Sequence, residues 1–208
     1  MKRYLFALPF VLALNVFSAY AGDLPVEAAP LPAANAGGAI YVQILGGVVA
    51  GGDMSFYEPA ERSYDMQTGP ALAVALGYEL TDGIAVEADV LLSKRVYVNF
   101  PDDDQTNSSL MANLKGHIEL GDSVGVYGAV GAGYILSTNN QVGGYSFDYA
   151  SFGYQLIGGV SFEIAEGVEL LAEGRYQGSF GHLPSVDYEE NMVEGQTTTG
   201  LVGVKFGF

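Results

Sequence analysis

The sequence contains no cysteine and only 8 lysine and arginine residues among 208. Without cysteine the chain cannot be held by disulfides and offers no soft metal ligands, and its two histidines lie too far apart for a zinc site. Its 24 Asp and Glu residues give a formal net charge of −16, which argues against nucleic-acid binding because such proteins need a basic surface. We therefore expect no metal, no cofactor and no nucleic-acid partner.

Long apolar runs are also scarce, and the only one lies at the start. Lys2 and Arg3 precede an apolar run over residues 4–17, which is followed by the small residues Ala19-Tyr20-Ala21. This order is typical of a secretory signal peptide, and the run is shorter than the roughly 20 residues that span a bilayer. We predict a signal peptide over residues 1–21, cleaved between Ala21 and Gly22.

Residues 22–39 are rich in proline and alanine and are predicted to form an extended periplasmic linker. From Ile40 to Phe208 the pattern changes to alternating strands and turns, which predicts a single β-domain. The eight predicted strands are Ile40–Val49, Gln67–Leu80, Ile84–Val98, Ser108–Leu120, Ser123–Ser137, Ser151–Ile164, Val168–Phe180 and Gln196–Phe208.

The connections between these strands alternate between two lengths. Residues 81–83, 121–122 and 165–167 are tight turns with the Asp, Glu and Gly residues that hairpins use, whereas residues 50–66, 99–107, 138–150 and 181–195 are long and polar. Short turns at one end and long loops at the other are typical of outer-membrane barrels. The chain is therefore predicted to be all-β, an eight-stranded antiparallel up-and-down transmembrane β-barrel.

Most strands alternate an apolar face with a small or polar face, as in the row Leu72, Val74, Leu76 opposite Ala71 and Ala73. A soluble lipocalin-like ligand-binding barrel has the same period with its apolar side inside, so that alternative stays open. Charges of both signs on the polar face, and aromatic residues near the strand ends, favour the apolar face toward lipid. The aromatic residues are Tyr78, Phe162, Phe206 and Phe208 near the turns, and Tyr97, Tyr134, Phe152, Tyr154, Tyr176 and Phe180 near the loops. Strands one and five are too rich in glycine for their facing to be assigned.

The inward face is predicted to hold a structural charge network that plugs the barrel. Its members are Glu87, Asp89, Lys115, His117, Glu119, Glu163, Glu173, Arg175 and Lys205. An eight-stranded barrel has an interior that side chains fill, which favours a plug over an open channel. A gate or narrow ion path through the same residues is the alternative.

A catalytic site is not expected. His182 and Ser185 with Asp187 and Glu189 could imitate a Ser–His–acid arrangement in the last loop, but polar loops produce such sets by chance. A lipid-A-modifying barrel enzyme is therefore kept only as an alternative to a structural barrel, and a small pore is a further alternative. The loops combine acids with aromatics, which suits a surface that recognises host or surface ligands.

The closing strand Gln196–Phe208 alternates and ends on Phe206 and Phe208. With the opening strand Ile40–Gln43, residues 126–134 and the segment Glu173–Tyr176, it resembles the small outer-membrane β-barrel family of opacity-like and surface-antigen proteins, similar to the membrane domain of outer-membrane protein A. The resemblance implies a place in the cell outer membrane, contact with its lipid and lipopolysaccharide, and a terminal aromatic signal read by the assembly machinery. It also implies a structural surface role in envelope integrity, adhesion or antigenicity.

Overall fold

The computed structural model describes residues 39–51, 53–56, 62–121, 123–141, 145–182, 193–194 and 196–208. The predicted signal peptide with its cleavage site, the linker up to residue 38, and Ser185, Asp187 and Glu189 lie outside the described residues. The strands are β1 Ile40–Val49, β2 Asp53–Phe56, β3 Arg62–Asp65, β4 Gly69–Thr81, β5 Ile84–Val96, β6 Asp104–Glu119, β7 Val124–Gln141, β8 Tyr145–Ala165, β9 Val168–His182, β10 Val193–Glu194 and β11 Thr197–Gly207.

Eight of these strands close into an antiparallel barrel in the order β1-β11-β9-β8-β7-β6-β5-β4. The first and last strands seal it, pairing from Tyr41 with Gly207 to Val49 with Thr199. The predicted eight-stranded up-and-down barrel is confirmed. Among the described residues, none forms a helix long and apolar enough to cross a membrane.

The strand ends differ from prediction mainly at the loop end. The β7–β8 ladder continues to the pair Gln141 and Tyr145, so most of the predicted loop 138–150 is strand. In the β7 part, residues 138–141 are Thr, Asn, Asn and Gln, which are polar at both parities, so apolar alternation could not reveal that part of the strand. The predicted loops 50–66 and 181–195 contain β2, β3 and β10, which form a separate three-stranded sheet.

Two of the short turns depend on glycine. Gly83 has a φ of 104° and Gly167 a φ of 73°, a region that residues with a Cβ rarely adopt. They end the turns between β4 and β5 and between β8 and β9, where the sequence predicts tight hairpins. These turns lie at one end of the barrel, together with Ile40 and Phe208.

The apolar face points outward, as predicted. Leu72, Val74 and Leu76 are 45–56% exposed, whereas Ala73 and Ala75 on the opposite face are at most 1% exposed. The structure also assigns the two glycine-rich strands, because β1 directs Tyr41, Gln43 and Leu45 inward and β7 directs Tyr127 and Ala129 inward.

Aromatic rings lie on the outer face near both ends of the barrel. At the loop end, Phe180 approaches Tyr154 and Phe152 at centroid distances of 4.9 and 5.8 Å, and Phe152 packs edge-on against Tyr134. At the turn end Tyr78, Phe162, Phe206 and Phe208 are exposed. The prediction for Tyr97 was wrong: its ring is 5% exposed and lies inside, because it shares the strand parity of Glu87 and Asp89.

Candidate functional site

The lumen of the barrel is the best-defined polar site in the described structure. The alternation of β5 directs Glu87 and Asp89 inward, and that of β9 directs Glu173 and Arg175 inward. All four side chains are buried, as is Lys115 on β6. In an eight-stranded barrel the interior is only wide enough for side chains, so these groups must satisfy each other.

Glu87 is the acceptor of one part of this network. Its Oε1 accepts hydrogen bonds from the Tyr41 hydroxyl at 2.7 Å, from Gln43 Nε2 at 3.0 Å and from Lys115 Nζ at 2.9 Å. Lys115 Nζ also lies 4.2 Å from the ring centroid of Tyr127, within the range of a cation–π contact. The ammonium group is therefore held between a carboxylate and an aromatic face.

Asp89 is the acceptor of the second part. Its Oδ2 accepts from Arg175 Nη1 at 3.0 Å, from Asn113 Nδ2 at 2.7 Å and from Gln155 Nε2 at 2.6 Å. Strands β5 and β9 lie four positions apart in a ring of eight, so the Asp89–Arg175 ion pair joins opposite walls. The other oxygen, Oδ1, is buried and has no hydrogen-bond partner among the described residues.

Glu173 and two glutamines extend the network. Arg175 Nε donates to Glu173 Oε1, and the Tyr127 hydroxyl donates to Glu173 Oε2 at 2.9 Å. Gln177 Nε2 donates to Gln155 Oε1 at 3.0 Å. These hydrogen bonds form one connected group around Asp89, and the cation–π contact of Lys115 with Tyr127 joins this group to the Glu87 group. Together the two groups make up the central layer of the lumen.

A second layer of buried side chains lies toward the loop end. The hydroxyl of Tyr97, the residue after the end of β5, donates to Asn139 Oδ1 on β7 at 2.9 Å, which spans the intervening strand β6. Met66 is buried, and its backbone pairs with that of Tyr97 in an isolated antiparallel β-bridge. Arg95 Nη2 donates to Gln105 Oε1 at 2.8 Å in the same region.

The turn end is different because it opens into a vestibule of about 500 Å³. Lys205 Nζ lies there, 2.7 Å from Glu169 Oε1 and 3.4 Å from Glu79 Oε1. The other ionisable residues that line the vestibule are Tyr41, Asp82, Lys115, His117, Glu119 and Tyr127. Three of these, Tyr41, Lys115 and Tyr127, also belong to the central layer, so the vestibule ends on that layer.

The nine residues predicted for the interior network occupy three environments. Glu87, Asp89, Lys115, Glu173 and Arg175 form the buried layer. His117 and Lys205 are half-buried in the vestibule. Glu119 also lines the vestibule but is exposed, and Glu163 is exposed at the turn end outside the vestibule lining, so neither belongs to the buried layer. Glu163 has the inward parity, but it lies at a register shift next to the β8–β9 turn, beyond the packed lumen.

Sequence reasoning missed most of the neutral partners. Tyr41, Gln43 and Tyr127 lie on the glycine-rich strands, whose facing could not be assigned from sequence. Asn113, Gln155 and Gln177 were on the correct polar face, and this parity was the available signal for their part in the network. Arg95 and Tyr97 share the inward parity of Glu87 and Asp89, and this parity was the available signal for both.

The described residues contain no group of three or more His, Asp or Glu side chains arranged to hold a metal ion. His182 ends β9, but its side chain lies outside the described part of the structure. The geometry of its predicted set with Ser185, Asp187 and Glu189 is therefore not described.

Comparison with solved structures supports the same fold. Neisserial surface protein A superposes with a TM-score of 0.58 at 19% identity, covering 82% of this chain and 99% of that chain. OprG from Pseudomonas aeruginosa gives 0.54 at 13% identity, covering 83% and 96%. The outer membrane protease OmpT from Escherichia coli gives 0.51 at 8% identity, covering 86% and 99%.

Sequence comparison assigns the family. No curated protein matches the chain in sequence. The family model described as outer membrane protein beta-barrel domain matches residues 12–206, which is most of the chain. An outer-membrane location agrees with the apolar outer face and its aromatic rings, which meet lipid. The chain therefore belongs to the outer membrane protein β-barrel domain family and is an outer-membrane protein.

Proposed function

We propose that the protein is a structural, surface-exposed barrel of the outer membrane whose lumen is sealed by the buried charge network. The observation that carries the proposal is the Asp89–Arg175 ion pair, which joins opposite walls with both side chains at most 1% exposed. Envelope integrity, adhesion and presentation of a surface antigen are the roles that a sealed barrel with long loops would serve. The proposal includes no catalytic role, and the protease activity named for the E. coli structure belongs to that protein.

The strength of the seal depends on the free energy needed to separate the buried ion-paired side chains. Removing one partner from a buried ion pair typically costs about 3–5 kcal/mol, because it leaves a charge without compensation. Asn113 and Gln155 hold Asp89 on the same oxygen as Arg175, so a passing ion would have to displace several bonds at once. The layer formed by Tyr97 and Asn139 would present a second barrier at the loop end.

Single-channel recording in planar bilayers tests the proposal. The purified wild-type protein should show no steady pores. The double variant Asp89→Ala/Arg175→Ala removes both side chains of this ion pair, and it should show frequent openings if this layer is the seal. Insertion of both proteins is checked by the mobility shift that folded barrels show on boiling.

A small pore is the second candidate, and the vestibule is the observation that favours it. Its volume of about 500 Å³ would admit water and small ions from the turn end as far as Lys115. The same recordings separate the two candidates. Steady conductance of the wild-type protein would refute the sealed lumen and favour the pore.

The surface role rests on the loop end. Three acidic residues lie at this end, Asp102, Asp103 and Asp148, and the first and last of them are exposed. The chain as a whole carries a formal net charge of −16. An acidic loop surface favours cationic partners and repels anionic ones. We therefore propose that any adhesive contact is made with basic patches on a host or neighbouring cell surface.

A further inference from the structure

We propose that the lumen binds one small monovalent cation beside Asp89, taken up from the turn end through the vestibule. This inference deepens the proposed function and rests on it, because it places the ion in the buried charge network that the proposal treats as the seal. It assigns a ligand class, an alkali-metal ion, to the buried carboxylate oxygen Asp89 Oδ1.

The first argument is the charge balance of the central layer. Its carboxylates are Glu87, Asp89 and Glu173, and its cations are Lys115 and Arg175. One negative charge is therefore in surplus. Arg95 is six residues farther along β5, roughly 20 Å away at about 3.3 Å per residue, and it donates to Gln105 in the loop-end layer. A surplus charge inside a lipid-surrounded barrel is costly unless a counter-ion balances it.

The second argument is an oxygen without a partner. Asp89 Oδ2 accepts three hydrogen bonds, whereas Oδ1 accepts none, and the side chain is 0% exposed. Thr199 Oγ1 is another buried oxygen without a partner, and Thr199 pairs directly with Arg175 in the β9–β11 ladder. Buried polar atoms of this kind call for an ion or a water molecule, and carboxylate and hydroxyl oxygens suit hard cations.

The third argument is a route that attracts cations. Glu79, Glu119, Glu169 and Asp82 line the vestibule, where Lys205 and Lys115 supply the opposing charge. An acidic opening with low-dielectric walls raises the local concentration of cations. Tyr41, Lys115 and Tyr127 of the central layer line the vestibule, and Asp89 belongs to the same layer, so an ion that enters meets this layer directly.

The charge of the ion follows from the size of the surplus. One excess carboxylate requires one positive charge, and a divalent ion would reverse the imbalance. In the described lumen no three carboxylate or histidine side chains are grouped closely enough to hold a multivalent metal. A monovalent ion can complete its coordination with water from the vestibule.

The test measures stability in different cations at constant ionic strength. The refolded full-length barrel in detergent is unfolded with urea in sodium chloride, potassium chloride or N-methylglucamine chloride, whose cation is too bulky for the lumen. The wild-type midpoint should be higher in sodium or potassium, and it should rise and then saturate with concentration because the ion binds only the folded state.

Two variants locate the site, and a third is the matched control. Asp89→Asn and Glu87→Gln each remove one carboxylate from the layer, so each should lose the cation dependence. The second variant keeps the test decisive if the first does not fold. Asp104→Asn changes an acid that pairs with the exposed Lys94, and it should retain the wild-type dependence.

Three results would overturn the inference. Equal wild-type midpoints in sodium and N-methylglucamine would exclude an alkali ion. A midpoint that responds to pH but not to the alkali ion would show that a proton balances the layer instead. Unchanged cation dependence in both variants would place the ion elsewhere. Channel recordings test the sealed lumen separately, so a pore with normal cation dependence would refute only the seal.

Discussion

Arg175 makes two ion pairs at once, with Asp89 at 3.0 Å and with Glu173, and its side chain is 1% exposed. We predict that Arg175→Met lowers the free energy of unfolding by about 3–5 kcal/mol, because it leaves two buried carboxylates without their cation. Urea unfolding of the refolded barrel in lipid vesicles measures the change.

Lys94→Met is the matched control for this prediction. Lys94 Nζ lies 3.0 Å from Asp104 Oδ2, the same distance as in the Arg175–Asp89 pair, but the lysine side chain is 52% exposed. An exposed pair contributes at most about 1 kcal/mol, so this variant should unfold almost like the wild type. Equal losses in both variants would mean that burial does not decide the strength of these pairs.

At the scale of the strand, the outer face carries a row of glycines. Gly116, Gly128, Gly158, Gly174 and Gly200 are direct cross-strand partners on five consecutive strands, β6, β7, β8, β9 and β11. A Cβ added to Gly174 would meet no atom within 4 Å, whereas a Cβ added to Gly133 on the inward face would collide with the carbonyl oxygen of Leu110. Gly133 is therefore required by the close approach of the neighbouring backbone, whereas Gly174 has room for a larger side chain.

We predict opposite effects of alanine at these two positions. Gly174→Ala should leave stability unchanged or raise it by about 0.5–1 kcal/mol, because alanine loses less backbone entropy on folding. Gly133→Ala should destabilise the barrel, because β6 and β7 must move apart. Urea midpoints of the two variants provide the comparison, and a loss of stability in Gly174→Ala would show that the outer row is needed for close contact.

The strands also show how far sequence alone reaches. Alternation predicted the inward and outward faces of β4, β5, β6, β8 and β9, because each strand separates a lipid side from a packed side. It failed on β1 and β7, since glycine has no hydropathic preference, and Tyr41 and Tyr127 were missed for that reason. Parity predicts whether a side chain faces the lumen or the lipid, but not how far along the barrel axis it lies. For this reason the exposure of Glu119 and Glu163 at the turn end was not predicted.

Pairing across the lumen could not be predicted for a further reason. Asp89 and Arg175 are 86 residues apart and meet because the closed ladder sets the relative height of opposite strands. That height depends on the register of every intervening pair, including the shifts at Glu79 and Glu163. The sequence indicates which charges face inward, whereas the closed barrel determines which of them meet.

For the whole molecule, the even strand count places both ends of the barrel chain at the short-turn end. We predict that this end faces the periplasm and that the long loops face outside, as in other outer-membrane barrels. The absence of cysteine makes this orientation directly testable, because an introduced thiol is the only one in the chain. Asp102 is exposed at the loop end, and Glu166 is exposed in the β8–β9 turn. Each offers a labelling site that takes no part in the central layer.

We predict that Asp102→Cys is labelled on intact cells by a maleimide that cannot cross the outer membrane. Glu166→Cys should be labelled only after the outer membrane is permeabilised, and both proteins should be present in equal amounts in the envelope fraction. Labelling of Glu166→Cys on intact cells would show that the barrel has the opposite orientation in the membrane. It would then place the acidic vestibule, not the loops, on the cell surface, and the proposed cation would enter from the medium instead of the periplasm.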